Sequence, residues 1–409
     1  MKTAVWLYLF SFIAIFDLHA QYPILTPFAV SLGAAPSFIG LMMGLYSITH
    51  LPGNVIAGWS VDRFGSRVFI VLSLLAAGII LLLQSQVNDP WQLLVLRSIS
   101  GFVLAFLSPA CMALLAKITA NRILQGKLMA GNGLVHTLAS VVSPAAGALL
   151  VARLGFELSF LALGWVLIGT SLCALLFIRD IRRPATAHPH PNGDTATPRP
   201  AAQPLGAAHA SPAGIPVTAA SGAADGDPPL PWLVYALPIA MSCAQGILSF
   251  ELPLLALHDH SIMQTGLLFS VLSLGSLVTL SMMFLNRYSS LRRTMAGALI
   301  LALSYFTAAI GGLVPLPALL FIIGMAKGVI YPALTTLLIE LTGSAKYGRT
   351  FSVLSIAYSI GAFLGPLAAG YFRDHISPYF LAFLALMTGV ILLPFTGPRR
   401  LHAASPRIG

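Results

Sequence analysis

Seven ionisable side chains stand inside stretches that are otherwise apolar: Asp17, His19, His50, Arg97, His136, Glu251 and Lys327. A charge in such a setting is costly unless it is solvated, paired or used, so each is a candidate for chemistry. Asp17 lies about nine residues below one end of its run, roughly 13 Å, and Arg97 lies about six residues into another run from the same side, so the two reach similar depth. A carboxylate whose protonation answers to solvation and to a neighbouring cation can carry a proton between two conformations. The competing reading is an ion pair or polar contact that only fixes helix packing. His19, two residues on, points to a different helical face from Asp17. Like His50 and His136, it reads either as a substrate-facing group or as a hydrogen-bonded interhelical histidine.

Glu251 lies in a run opened by Pro231 and is followed by Pro253. It reads as a second proton site, a cation-attracting group, or a rim residue beside Asp259. Lys327 sits about eleven residues into its run, near mid-bilayer, where a lysine must line a cavity or pair with an acid. Glu251 and a substrate anion are its two candidate partners. Phe10, Phe12, Phe16, Tyr22, Tyr46, Phe250 and Tyr331 supply candidate aromatic cavity surface.

The elements that must hold these groups follow from composition. With 57% hydrophobic and 8% charged residues over 409 positions and a mean hydropathy of +0.88, the chain cannot cover itself with a polar surface. It reads as an integral membrane protein. Its 22 basic residues outnumber 12 acidic ones, but they are spread singly between apolar runs, which suits loops facing anionic lipid rather than nucleic acid. Cys111, Cys173 and Cys243 have no paired or metal-ligand spacing and read as small packing residues.

A bilayer crossing needs about 20 apolar residues. Twelve such runs occur, near 4–25, 37–59, 68–87, 91–115, 128–150, 157–178, 231–256, 263–285, 294–314, 316–339, 350–371 and 378–396. The first resembles a secretory signal, but Asp17 interrupts it and it reads as an uncleaved first helix. If the N-terminus is cytoplasmic, eighteen Lys and Arg residues fall on the inner side and only Arg153 and Arg373 on the outer, which sets both termini inside the cell membrane. Glu340, near the inner end of its run, then joins the cytoplasmic charges. The stretch 181–230 is rich in Pro, Ala, Gly, Thr and His and cannot bury a core, so it reads as a disordered cytoplasmic linker. The chain is thus expected as a six-helix bundle over 1–180, the linker, a second six-helix bundle over 231–398 and a tail over 399–409. The halves repeat weakly: Gly101 and Pro109 recur as Gly324 and Pro332, and Pro144 and Gly147 as Pro366 and Gly370.

The turn GWSVDRFGSR, Gly58 to Arg67, carries nearly all the local charge. Gly58 would let a helix approach, Gly65 permits a positive φ, and Asp62 with Arg63 and Arg67 can pair across helices. This turn resembles the G-x-x-x-D-R/K-x-G-R-R/K loop between the second and third helices of the major facilitator superfamily, with Ser66 departing from the pattern. NRYSSLRR, Asn286 to Arg293, occupies the equivalent place in the second half without the acid or the glycine. Pro23 and Pro27 before Leu32 and Gly33 resemble the first-helix motif of that superfamily's twelve-helix drug:proton antiporter branch. Arg97 with Gly101 resembles its R-x-x-x-G feature. Pro144 and Gly147 resemble its fifth-helix motif, and Gly361, Gly365, Pro366 and Gly370 give a cleaner small-residue version.

The resemblance implies an all-α membrane fold of two pseudo-symmetric six-helix bundles. The residues read on their own, together with the resemblance, give as expected roles proton coupling at Asp17, Arg97 and Glu251; a cavity with His19, His50, His136, Lys327, Tyr22, Tyr46, Phe250 and Tyr331; a latch at Gly58, Asp62, Arg63, Gly65 and Arg67; and helix packing and hinging at Gly101, Pro144, Gly147, Gly361, Gly365, Pro366 and Gly370. The expected activity is proton-coupled efflux of small amphipathic compounds. The alternatives are a carrier of a polar or anionic metabolite with Lys327 as anion partner, and, from another class, a membrane-embedded sensor or lipid-handling scaffold. No G-x-x-x-x-G-K-S/T sequence or hydrolase motif occurs, so neither ATP nor an enzymatic reaction is expected. Partners are a small-molecule substrate, protons and the bilayer, with no nucleic acid, no cofactor and no metal, and the chain is expected to be a monomer.

Overall fold

The computed structural model describes residues 2–119, 121–178, 232–259, 261–282, 285, 287–342 and 347–396. The expected linker and tail, Asn286 and the side chain of Asp62 lie outside the described residues. All regular structure within them is helical: α1 (Lys2–Ala20), α2 (Tyr22–Ser31), α3 (Pro36–Phe64), α4 (Ser66–Gln84), α5 (Pro90–Leu104), α6 (Leu107–Lys117), α7 (Arg122–Phe177), α8 (Ala236–Asp259), α9 (Ile262–Ser281), α10 (Ser290–Ile310), α11 (Leu316–Thr342), α12 (Tyr347–Phe372) and α13 (Pro378–Leu392).

These helices make twelve crossings. The first crossing is broken between α1 and α2, because Pro23 has no N–H and its ring collides with the His19 carbonyl one turn earlier. Pro109 breaks α5 from α6 in the same way, opposite the Ala105 carbonyl. Conversely, α7 holds two crossings, residues 122–154 and 156–177, which reverse at Gly155 with φ +80°. Nine helical stretches among the described residues are long and apolar enough to span a bilayer, one of them comprising both arms of α7. Beyond these, α13 is short, and α3 is made more polar by Tyr46, Ser47, Thr49, His50 and Asn54.

Within the first half α7 packs on α1 and α4, and α3 packs on α5; in the second, α8 packs on α12 and α13, and α11 on α9 and α10. The halves meet through α3 against α12 and α7 against α9. That interface repeats one contact twice. The Pro366 carbonyl lies where a side chain on Gly40 would be, and the Pro144 carbonyl lies where one on Gly266 would be. Without a hydrophobic drive between helices in lipid, such backbone approach supplies the dispersion contact that holds them. The expected internal repeat is therefore present in the packing. Gly101 lies against Tyr46 of α3 as Gly324 lies against Leu272 of α9.

The interhalf contacts, Gly40 and Gly44 with Pro366 and Phe363, Gly370 with Pro36, and Gly266 with Pro144, all lie toward the end that carries Gly33. The opposite end carries the α3–α4 turn, where Gly65 has φ +94° and ψ 154°, a conformation open in practice only to glycine.

Candidate functional site

Beneath that contact zone the halves enclose a cavity of about 330 Å³. Several helices around it contribute residues at helical spacing: Ser11, Ile15, Leu18 and Tyr22; Tyr46, His50 and Asn54; Asn132, His136, Ser140 and Pro144; Phe269, Leu272 and Ser276; Lys327 and Tyr331; Ser355, Ser359 and Ala362. The lining continues toward the Gly65 end as far as Ser11, Asn54 and Asn132. His19, Tyr22, Tyr46, His50, His136, Lys327 and Tyr331 all line it. Phe250 does not. It is 0% exposed, within the apolar core. Phe10 is likewise buried in the core, and Phe12 and Phe16 are absent from the lining.

The histidines are held differently from one another. Nδ1 of His19 faces the Ile15 carbonyl at 3.0 Å, so it donates and leaves Nε2 toward its surroundings. The His19 ring meets Tyr22 edge-on at 5.1 Å and His136 at 6.3 Å between centroids. His50 lies 2.8 Å from the Asn54 amide nitrogen one turn away.

Asp17 and Arg97 are both buried, one layer behind the cavity wall, and they are joined through a residue that sequence reasoning missed. Gln21 donates from Nε2 to Asp17 Oδ1 at 2.9 Å and accepts from Arg97 Nη1 at 2.6 Å. The break before α2 positions this amide: Gln21 is the single residue between the two helices, four positions from Asp17 and on its face. The Arg97 guanidinium in turn stacks on the Tyr46 ring at 4.5 Å, and Tyr46 lines the cavity. A polar chain thus runs from the carboxylate to the wall. The i, i+4 spacing of Asp17 and Gln21 was the available signal, but the other partner, Arg97, comes from a helix 76 residues away in the chain.

Lys327 projects from α11 into the cavity, and its Nζ donates to Gln245 Oε1 on α8. Among the described residues no carboxylate lies within 4 Å of it. Glu251, offered above as its partner, is instead committed to Arg373 by 3.0, 3.3 and 3.4 Å contacts, and neither residue lines the cavity. The reason is position: Arg373 follows α12, which packs along α8, so its side chain reaches Glu251 near the Gly33 end. Glu340 accepts from Ser290 at the start of α10, toward the Gly65 end.

At the expected latch Gly65 makes the turn, and Arg67 donates to the Leu175 carbonyl at 2.5 Å, near the end of α7, where a helix presents partial negative charge. Arg63 is exposed and lies over Trp59 and Phe64 at 5.1 and 5.4 Å. Gly58 faces open space, so the close helix approach expected there does not occur. Of the packing residues, Gly147 abuts Ala20 of α1, and Gly361 and Gly365 abut Ile239 and Cys243 of α8, all within halves. Pro366, Gly370 and Pro144 stand at the interface between halves. Gly40 and Gly266, their counterparts there, were not singled out from sequence because neither has a helix-breaking neighbour to mark it.

A sequence profile described as Major Facilitator Superfamily matches residues 7–366. Over 159 residues, 39% of this chain and 41% of the relative, the sequence is 26% identical to an uncharacterized MFS-type transporter of Methanocaldococcus jannaschii. It is 30% identical over 161 residues to a multidrug resistance protein B homolog of Mycobacterium tuberculosis, covering 39% of this chain and 29% of that one. It is also 30% identical over 144 residues to the multidrug resistance protein MdtG of Salmonella arizonae, covering 34% and 35%. The match therefore spans less than half of each relative's length. Among solved structures, a bacterial homolog to the human lysosomal transporter Spinster is similar over 96% of this chain and 94% of that one, with 17% identity and a TM-score of 0.70 in an inward-facing, occupied conformation. The unoccupied, inward-facing form gives a TM-score of 0.71 at 16% identity.

Proposed function

Because the chain belongs to the Major Facilitator Superfamily, whose members are membrane transporters of small molecules and not enzymes, we propose that it exports small amphipathic compounds by proton-coupled alternating access. The observation that carries this reading is the chain Asp17–Gln21–Arg97–Tyr46, which ties a buried carboxylate to the wall of a cavity between two halves. Protonation of Asp17 would weaken its claim on the Gln21 amide, let Gln21 shift while it still accepts from Arg97, and so alter what Tyr46 presents to substrate. Substrate and proton would then compete through one set of hydrogen bonds.

In this reading the chain is a monomer in the cell membrane with both termini in the cytoplasm, as the Lys and Arg distribution supports. The Gly65 end is then cytoplasmic, and a cavity closed at the Gly33 end is poised to load from inside. The multidrug-resistance names of two relatives favour efflux. The turn with Gly58, Asp62, Arg63, Gly65 and Arg67 acts as the latch of the rocking halves, supported by the Arg67 bond to α7. Pro144, Pro366 and Gly370 bear on each other's half and act as the pivot, while Gly101, Gly147, Gly361 and Gly365 keep each half rigid. Glu251 contributes through its pair with Arg373 rather than through the cavity.

The test is uptake into proteoliposomes with an imposed pH gradient as the sole driving force. Asp17→Asn is expected to abolish gradient-driven accumulation while leaving ligand binding intact, and unimpaired pH-dependent transport in that variant refutes the coupling.

A further inference from the structure

Lys327 is the one described cation on the cavity wall, and nothing on that wall opposes its charge. Its hydrogen-bond partner, Gln245, is neutral. The two acids deepest in the described spans are engaged elsewhere, Asp17 with Gln21 and Glu251 with Arg373. A lysine at this depth normally pairs with an acid or holds a ligand, because an uncompensated ammonium in a low-dielectric site is costly. Gln245 orients the ammonium without neutralising it.

The lining offers both polar and apolar groups for a ligand. Tyr331, one turn from Lys327 on the same face of α11, adds a hydroxyl, and its ring lies 5.8 Å from that of Tyr358. The lining also carries apolar surface at Leu18, Leu107, Phe269 and Leu272, with the Tyr22 ring 5.8 Å from Phe269. The apolar residues would take a ring or short chain, and Lys327 would take a head group.

From this juxtaposition we infer that the substrates are amphipathic anions, an apolar body carrying a carboxylate or comparable acid, with the anionic group set against Lys327. The inference rests on the proposed transport reading and narrows its substrate class. It also gives the loading step a direction: an anion entering the cavity supplies the charge that Lys327 lacks, whereas an organic cation meets uncompensated repulsion.

The full chain in phosphatidylcholine nanodiscs, examined by equilibrium dialysis with naphthoate, naphthamide and naphthylmethylammonium, separates the possibilities, since the three share a ring and differ in charge. Naphthoate is expected to bind tightest. Lys327→Gln, which keeps a donor for Gln245, is expected to weaken naphthoate by more than about tenfold, with the neutral amide changed by less than about twofold and Lys327→Arg restoring most of the loss. Unchanged amide binding also reports that the variant is folded. Tighter binding of the ammonium probe, or naphthoate affinity indifferent to Lys327→Gln, overturns the inference. Accumulation of the same probes under a pH gradient, counted only as the excess over protein-free liposomes because a weak acid or base also redistributes passively, distinguishes the levels of failure. If the amide or the ammonium is moved and naphthoate is not, only the anion assignment fails. If none is bound or moved, the transport reading fails with it.

Discussion

Arg97 reaches Gln21 at 2.6 Å, and through that amide it is held to Asp17 without touching the carboxylate in a direct ion pair. A neutral bridge lets the carboxylate gain a proton without leaving the guanidinium stripped of its acceptor, since the Gln21 carbonyl remains. It also makes the geometry of Arg97, and of Tyr46 beneath it, depend on which way the amide is drawn.

Replacing the bridge should separate coupling from binding. Gln21→Leu leaves Asp17 without its donor and Arg97 without its acceptor in a buried setting, a cost of about 1–3 kcal/mol in stability. The expected outcome is a lower unfolding temperature together with a displaced pH dependence of transport. A variant that loses stability but keeps the wild-type pH profile would show Gln21 to be structural only.

The Glu251–Arg373 pair fastens α8 to the end of α12, away from the cavity. Glu251→Gln removes one partner of a pair in which Glu251 is 4% exposed, and is expected to destabilise by about 3 kcal/mol. Proton-to-substrate stoichiometry, measured in proteoliposomes, should stay as in the wild type. A changed stoichiometry would restore Glu251 to the proton pathway.

Gly40 and Gly266 should respond alike, because each receives a proline carbonyl from the other half. Alanine at either forces apart backbones that have no flexible side chain to yield, at about 1–3 kcal/mol. Spin-label distances across the Gly33 end are expected to lengthen in both variants and transport to slow. A response at one glycine alone would argue against a two-fold interface.

Gly65 turns the chain from α3 into α4 with a backbone that a β-carbon resists. Gly65→Ala is expected to cost about 1–3 kcal/mol. Thermal unfolding measures this directly, and cysteine accessibility on either side of the cavity should shift if the turn also serves as the latch.

Sequence alone determined the environment and the plan of the molecule. Apolar runs of bilayer length require helices because every backbone polar group in hydrocarbon must be satisfied within its own segment. The loop basic residues are the ground for the expected orientation, and the repeated Gly and Pro positions pointed to two related halves. It also pointed to part of the cavity wall, since polar and ionisable residues inside spans are tolerated only where solvent or a partner awaits them; His19, His50, His136, Tyr22, Tyr46, Tyr331 and Lys327 lie there, while the serines, asparagines and apolar residues that make up the rest carried no such mark. What it could not determine was partnership. Whether Glu251 faces Lys327 or Arg373, whether Phe250 faces the cavity or the core, and whether Gly58 is crowded or open depend on how helices far apart in the chain are rotated against one another, a matter of a few tens of degrees that helical periodicity leaves free. Only the tertiary packing, through backbone contacts such as Gly40 on Pro366 and Gly266 on Pro144, sets those rotations, and with them the neutral company that Gln21 and Gln245 give to Arg97 and Lys327.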